Sequence, residues 1–149
     1  MLLALNVSSL AQLNTIQRHR AILVSQLRTN QMALALVTFP KSRTLSVNGK
    51  SIGMLVLNSE LRYGVLFAWR LDPLDFGHIY QIWLIQPDGK QISGGFFRSD
   101  LDQPFVSALI SSPQLLSVFA GLDVTVEPNG GSPAPTGQRV SKASLKVAP

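Results

Sequence analysis

The feature that most constrains this chain is the position of its first proline, Pro40. Residues 1–39 contain neither proline nor glycine, whereas all nine prolines and all eleven glycines lie from Pro40 onward. Both residue types interrupt helices and favour turns, so only the first part is free to form one long helix. The residue before a proline is pushed out of the α-region, which places the helix end just before Pro40. The sequence therefore predicts a helix in residues 1–38 and a second domain in residues 39–149.

The predicted helix, from Met1 to about Val37, carries a 3-4 repeat of mostly apolar residues. The repeat consists of Leu13, Ile16, Arg20, Leu23, Leu27, Asn30, Leu34 and Val37. This spacing is typical of a coiled coil, in which the polar Asn30 would set the register of a homodimer. A helix that packs on its own domain shows the same spacing, so both interpretations stand on equal terms.

The first thirteen residues are apolar enough to suggest part of a membrane helix, but they are too few and too polar to span a membrane alone. They are apolar but include Asn6, Ser8 and Ser9, and a spanning helix needs about 20 consecutive apolar residues. They also lack the basic start and the small-residue cleavage site of a signal peptide. One interpretation is that they form the outer end of a transmembrane helix that begins upstream.

From Thr44 onward, short β-type runs alternate with turn residues. Around Trp83 both alternating faces are apolar, which is typical of a central strand covered on both sides. One short helix is predicted, with Ser112 as N-cap, Pro113 at its first position, Gln114–Phe119 as its body and Gly121 just after it. The predicted strands are Thr44–Val47, Gly53–Leu57, Tyr63–Trp69, Ile79–Gln86, Gln91–Phe97, Phe105–Ile110, Leu122–Glu127 and Arg139–Lys146. Eight short strands predict a mainly β fold, an antiparallel β-sandwich.

Composition excludes several classes of function. The chain has no cysteine, so disulfides, thiolate catalysis and cysteine-ligated zinc are excluded. The net charge is +5, but no run of lysine and arginine and no basic strand with interleaved aromatics occurs. Nucleic-acid binding is therefore not expected. All eight acidic residues lie in residues 60–127, and the basic N-terminal third suits an anionic membrane surface at least as well.

Residues able to carry catalysis or bind a metal are few and scattered. His19 lies in the predicted helix and His78 beside a strand, and neither has a second metal ligand nearby in the sequence. No serine occupies a Gly-x-Ser-x-Gly turn. Gly130-Gly131 is followed by prolines, whereas a phosphate-binding loop opens a helix. The sequence thus predicts no catalytic residue.

Two pairs of carboxylates, Asp72/Asp75 and Asp100/Asp102, lie in polar connections between predicted strands. In such connections aspartate commonly accepts hydrogen bonds from its own backbone. Two ligands also fall well short of the six that calcium requires. We therefore expect no metal and no cofactor, and a non-catalytic binding or sensing module.

Two stretches are more specific than generic strands. Residues 80–85 read Tyr-Gln-Ile-Trp-Leu-Ile and are followed, after a Pro-Asp-Gly turn, by Ser-Gly-Gly-Phe at residues 93–96. Residues 124–137 read Val-Thr-Val-Glu-Pro-Asn-Gly-Gly-Ser-Pro-Ala-Pro-Thr-Gly. In this order, they closely resemble the C-terminal domain of the anti-sigma-K factor family of bacterial regulators, over about residues 36–145. The motif residues expected to have structural roles are Tyr80, Gln81, Trp83, Leu84, Gly95, Phe96, Thr125, Glu127, Pro128, Gly130, Gly131, Pro135, Thr136 and Gly137.

The resemblance implies the extracytoplasmic, or periplasmic, sensory domain of a single-pass bacterial membrane protein. In such a protein a cytoplasmic domain, which is not among these residues, holds an extracytoplasmic-function sigma factor inactive. The resemblance further implies release by regulated proteolysis, first by a site-1 protease and then by an intramembrane protease. The predicted helix looks like the family's segment just outside the membrane and its membrane tether, although it contains no acidic residue.

Two questions remain open at the level of sequence. Glu127 either accepts amide hydrogen bonds from the Gly130–Gly137 turn and fixes that turn, or belongs to a ligand pocket. The competing function is an exported module that binds a cell-wall sugar or peptide and has no link to a sigma factor. That function requires exposed aromatic side chains on one concave face, with Tyr63, Trp69 and Phe76 as candidates.

Overall fold

The computed structural model describes residues 2–99, 101–102 and 105–146, with residues 2–6 described by their backbone alone. Its N-terminal part is a single α-helix, α1 (Leu2–Thr38). Eight antiparallel strands follow, and the mainly β fold predicted from the sequence is confirmed. The strands are β1 (Arg43–Gly49), β2 (Ile52–Leu57), β3 (Tyr63–Trp69), β4 (His78–Ile85), β5 (Gln91–Phe97), β6 (Phe105–Ser111), β7 (Gly121–Pro128) and β8 (Arg139–Ser144).

The two layers of the predicted sandwich are joined through β1 into one nearly closed sheet, in the order β5-β4-β7-β8-β1-β2-β3-β6. Residues 43–47 of β1 pair with β2, and its last two residues, Asn48 and Gly49, pair with β8. The two edge strands, β5 and β6, lie beside each other. A continuous ladder of backbone hydrogen bonds therefore connects both layers of the fold.

The main core fills the space enclosed by this curled sheet. Tyr80, Ile82 and Leu84 of β4 point into it together with Leu122 and Val124 of β7, and all five are buried. Because side chains alternate along a strand, Gln81 and Trp83 lie on the other face of β4. Both of these are also completely buried. The central strand is thus covered on both faces, as predicted, although one of its outer residues is polar.

The helix packs on its own domain through its last turns only. Ala33 and Leu36 are buried against Val56 of β2 and Val65 of β3, on the outside of the sheet. The rest of α1 is largely exposed, including every apolar residue of the 3-4 repeat. Among the described residues, α1 contains no stretch apolar enough to cross a membrane.

The short helix predicted at Gln114–Phe119 is present, but only as a single 3-10 turn, Leu116–Val118. The Ser112 hydroxyl does accept a hydrogen bond from the Gln114 amide (3.1 Å). The following amides, however, bond to the loop between β2 and β3: Leu116 N donates to the Leu61 carbonyl at 2.9 Å, and Ser117 N donates to Ser59 at 3.1 Å. Tertiary hydrogen bonds replace the helical ones, and Gly121 begins β7 instead of ending a helix.

Candidate functional site

The family motifs meet on the outer face of β4 and β7. The register of these strands places Gln81 opposite Thr125, and Ile79 opposite Glu127. The loop between β7 and β8 (residues 129–138, the β7–β8 loop) folds back towards this face and contacts both Gln81 and Glu127. Residues far apart in the sequence thus form one polar cluster.

The carboxylate of Glu127 is completely buried and accepts hydrogen bonds from three residues of the β7–β8 loop. The Ser132 hydroxyl donates to Oε2 at 2.9 Å, and the Thr136 hydroxyl donates to Oε2 at 2.5 Å. The backbone amides of Thr136 and Gly137 donate to Oε1 at 3.0 and 3.2 Å. The amide hydrogen bonds that the sequence predicted for Glu127 are therefore present.

A second set of hydrogen bonds extends this cluster into β4. The indole Nε1 of Trp83 donates to the hydroxyl of Thr125 at 2.8 Å, and that hydroxyl donates to Oε1 of Glu127 at 2.5 Å. The Gln81 side chain accepts from the Ser132 amide at 2.9 Å and donates to the Ser132 carbonyl at 3.1 Å. We call these residues (Gln81, Trp83, Thr125, Glu127, Ser132, Thr136 and Gly137) the Glu127 cluster.

Two glycines let the β7–β8 loop approach the sheet. A Cβ on Gly137 would lie 1.6 Å from the Val126 carbonyl oxygen, so only glycine fits there. Gly131 has φ +84°, and a Cβ on it would lie 2.2 Å from the ring of Phe96. Because neither residue has a Cβ, the loop can lie close to β4, β5 and β7.

The electrostatics of Glu127 favour its ionised form despite complete burial. Burial alone raises the pKa of Glu127, but the hydrogen bonds from Thr125, Thr136 and Gly137 outweigh it. The net effect lowers the pKa from its ordinary value of 4.5 to about 2. A carboxylate that accepts this many hydrogen bonds is held charged at neutral pH.

The remaining motif residues have different surroundings. Tyr80 stacks on Phe97 with ring centroids 5.3 Å apart, and its hydroxyl donates to the Asp72 carbonyl at 2.6 Å. Burial, followed by the nearby Asp72, raises the pKa of Tyr80 to about 12. Leu84 lies in the main core, and the Gly95 backbone comes close to the Leu109 carbonyl of β6. Pro128 ends β7, whereas Gly130 and Pro135 lie in the β7–β8 loop.

Ser132 was missing from the predicted motif residues, although both its hydroxyl and its backbone belong to the Glu127 cluster. It stands inside the quoted stretch of residues 124–137, so the signal was available. Serine is so common in turns that its side chain gave no reason to single it out.

Of the first pair of carboxylates in the strand connections, Asp75 has local partners. Asp75 accepts hydrogen bonds from the Gly77 amide at 2.8 Å and from His78 Nδ1 at 2.7 Å. The hydrogen bond from His78 lowers the pKa of Asp75. Asp100, of the second pair, lies outside the described residues. Among the residues that the structure describes, no three acidic or histidine side chains are grouped so as to hold a metal ion.

The three aromatic candidates for ligand binding come from β3 and from the loop after it. Tyr63 and Trp69 are six residues apart and point to the same side of β3, but they lie at its opposite ends, about 20 Å apart at the usual strand rise. Trp69 packs against Phe105 at a ring distance of 6.1 Å. Phe76 lies in the loop between β3 and β4 and is almost fully exposed.

Comparisons with known proteins identify the family to which this chain belongs. The sequence model of the family described as "Anti-sigma-K factor rskA, C-terminal" matches residues 1–140, which include both α1 and the β domain. The chain therefore belongs to the anti-sigma-K factor C-terminal family. The match extends further towards the N terminus than the resemblance read from the motifs, which began at about residue 36.

Several proteins named anti-sigma-K factor RskA are similar to this chain. That of Mycolicibacterium vanbaalenii is 36% identical over 99 residues, covering 65% of this chain and 40% of the relative. That of Mycobacterium sp. strain KMS is 31% identical over 108 residues, covering 71% and 43%. That of Mycobacterium tuberculosis strain H37Ra is 29% identical over 115 residues, covering 76% and 48%. The chain thus spans less than half the length of these relatives, and no solved structure matches it significantly.

We expect Glu127→Gln to destabilise the fold by about 2–3 kcal/mol, the upper range for hydrogen bonds to charged groups. The new amide group would face the donors of Thr125 or Thr136 and could not accept from them. The matched control is Glu60→Gln, because Glu60 is exposed and makes one surface ion pair, with Lys41 at 3.0 Å. Thermal unfolding followed by circular dichroism measures both variants. Equal melting temperatures for the two would contradict the role given to Glu127.

The same carboxylate predicts an acid dependence of stability. Its folded-state pKa lies below its ordinary value, so its contribution is complete above about pH 4.5 and is lost as the pH falls towards 2. The free energy of unfolding of the wild type should therefore fall more steeply over this range than that of Glu127→Gln. Urea titrations at a series of pH values test this, and parallel pH profiles would show that Glu127 does not titrate as described.

Proposed function

We propose that this chain is the extracytoplasmic, non-catalytic sensory part of a membrane-anchored anti-sigma factor. Its proposed partners are an extracytoplasmic-function sigma factor, held by a cytoplasmic domain, and the site-1 and intramembrane proteases that end this inhibition. The observation that carries the proposal is the family match over residues 1–140, across helix and β domain alike. Relatives named anti-sigma-K factors support the same role.

The site supports a structural role for the motif residues. In the Glu127 cluster both carboxylate oxygens already accept hydrogen bonds from the protein itself. A ligand would have to displace these bonds, since the carboxylate is fully buried. The cluster therefore fixes the β7–β8 loop on the sheet. We infer that these residues give the domain a stable fold rather than a reactive group, and that this stability is what regulation uses.

The junction between α1 and β1 is the region where proteolysis would depend on that stability. The side chain of Asn58, which is completely buried, donates to the Pro40 carbonyl at 3.0 Å. Lys41 next to it has φ 67° and forms an ion pair with Glu60 at 3.0 Å. The ion pair is exposed and contributes little, so the buried Asn58 of the loop between β2 and β3 is what holds the junction in place. A protease needs an extended substrate, so cutting near Phe39-Pro40 requires this part of the domain to open first.

A reporter experiment in the organism that encodes the chain tests the proposal. Glu127→Gln in the full-length protein should raise transcription from the promoters of the partner sigma factor several-fold without an inducing signal. The reason is that a less stable domain opens its junction more often. The Glu60→Gln control should leave transcription unchanged.

Two results would contradict the proposal in different ways. If deletion of the gene changes no sigma-dependent promoter, the anti-sigma role is wrong. If deletion raises transcription but Glu127→Gln does not, the role stands and control through domain stability is wrong. Cleavage fragments mapped by mass spectrometry provide a second reading, because cuts confined to the β strands would exclude the junction as the first site.

A further inference from the structure

The helix α1 has two faces with different surroundings. The face turned towards the sheet includes the buried Ala33 and Leu36 and continues through Ser25 and Thr29, which line a groove between α1 and β6. The apolar residues of the 3-4 repeat lie on the other side, whereas Asn30 of the repeat lines this groove. Leu34 and Leu36, for example, are two residues apart and so point about 200° away from each other around the helix.

The outward face is mostly apolar, and its apolar residues are uncovered. Its six apolar residues each expose between 53% and 68% of their surface, and they extend over seven turns of helix. They are Leu13, Ile16, Leu23, Leu27, Leu34 and Val37. Because the domain sits on the opposite side of α1, a second helix can lie along this face without meeting the β strands.

Several observations indicate that a second copy of this chain covers the face. The 3-4 spacing is unbroken for eight positions, as two supercoiled helices require. Of its two polar members, Arg20 meets the same residue when two copies align in register, whereas Asn30 lies at the groove beside the domain. The other arginines of the helix, Arg18 and Arg28, lie off the repeat, so like charges meet at one position only.

We propose that the outward face of α1 pairs with the same face of a second copy in a parallel coiled coil. The parallel direction rests on the proposed function, in which both N termini lead to one membrane. An antiparallel pair would place the N termini at opposite ends of helices about 55 Å long. Contact between the two Arg20 side chains is repulsive. It affects one position, whereas six positions of the repeat gain from the burial of apolar surface.

Cysteine cross-linking tests this directly, because the chain has no cysteine of its own. In the full-length protein in host membranes, Leu34→Cys and Ile16→Cys should each form a disulfide with the same residue of the second copy. Asn14→Cys is the matched control, exposed but off the repeat, and should form none. Adding Leu23→Lys and Leu27→Lys to Leu34→Cys should abolish its cross-link, whereas adding Asn14→Lys and Thr15→Lys should not.

Two outcomes would overturn the proposal. The first is the absence of a cross-link in both single-cysteine variants under oxidising conditions. The second is a cross-link only when Ile16→Cys and Leu34→Cys copies are expressed together, because an antiparallel pair brings these two positions opposite each other. Either result leaves the reporter experiment unaffected, so failure of the coil and failure of the anti-sigma role are separable.

Discussion

The position of the β7–β8 loop on the sheet depends on the hydrogen bonds that the loop donates to the buried carboxylate of Glu127. The carboxylate joins two segments that the backbone ladder leaves apart, namely the paired strands β4 and β7 and the β7–β8 loop. Burying an ionised carboxylate is costly unless hydrogen bonds satisfy it. Here both oxygens are satisfied by donors that come from fixed positions of the loop. The loop conformation and the charge therefore require each other.

This dependence explains the residue types in the second motif. Serine, threonine and two glycines lie where the loop must donate to the carboxylate or pass close to the backbone of β7. On β4, Trp83 has its polar atom directed at Thr125, so a large side chain can be buried on the outer face without an unsatisfied donor. The residues of the motif form one packing arrangement, in which the hydrogen bonds of each residue depend on the positions of the others.

The sequence predicted much of the fold because its local signals agree with one another. All eight strands lie within about two residues of their predicted positions, since the turn residues between them are strong signals. The predicted short helix is reduced to a 3-10 turn because amides near Leu116 bond to the β2–β3 loop, and no local sequence pattern reveals such a partner. The sharing of β1 between two layers was equally hidden, because pairing with β8 depends on contacts across ninety or more residues. For the site, the sequence indicated that Glu127 accepts amide hydrogen bonds from the turn that follows it, but not that Gln81 and Trp83 of β4 join the same cluster.

The helix and the β domain differ in how much of their apolar surface is buried. The domain contributes stability, through a core enclosed by one curled sheet and through the Glu127 cluster. The helix presents an apolar face that its own domain leaves uncovered. The junction at Pro40 connects the two and is held by Asn58 from inside the domain. Under the proposed function, a signal that loosens the domain would reach the junction without any change in the helix itself.

Amide hydrogen exchange of the β7–β8 loop is the most direct measurement of whether Glu127 fixes this loop. The account predicts that the amides of Ser132, Thr136 and Gly137 exchange as slowly as those of β4 and β7, because all three donate to buried acceptors. Exchange of these amides at the rate of an exposed loop, while β4 and β7 stay protected, would contradict it.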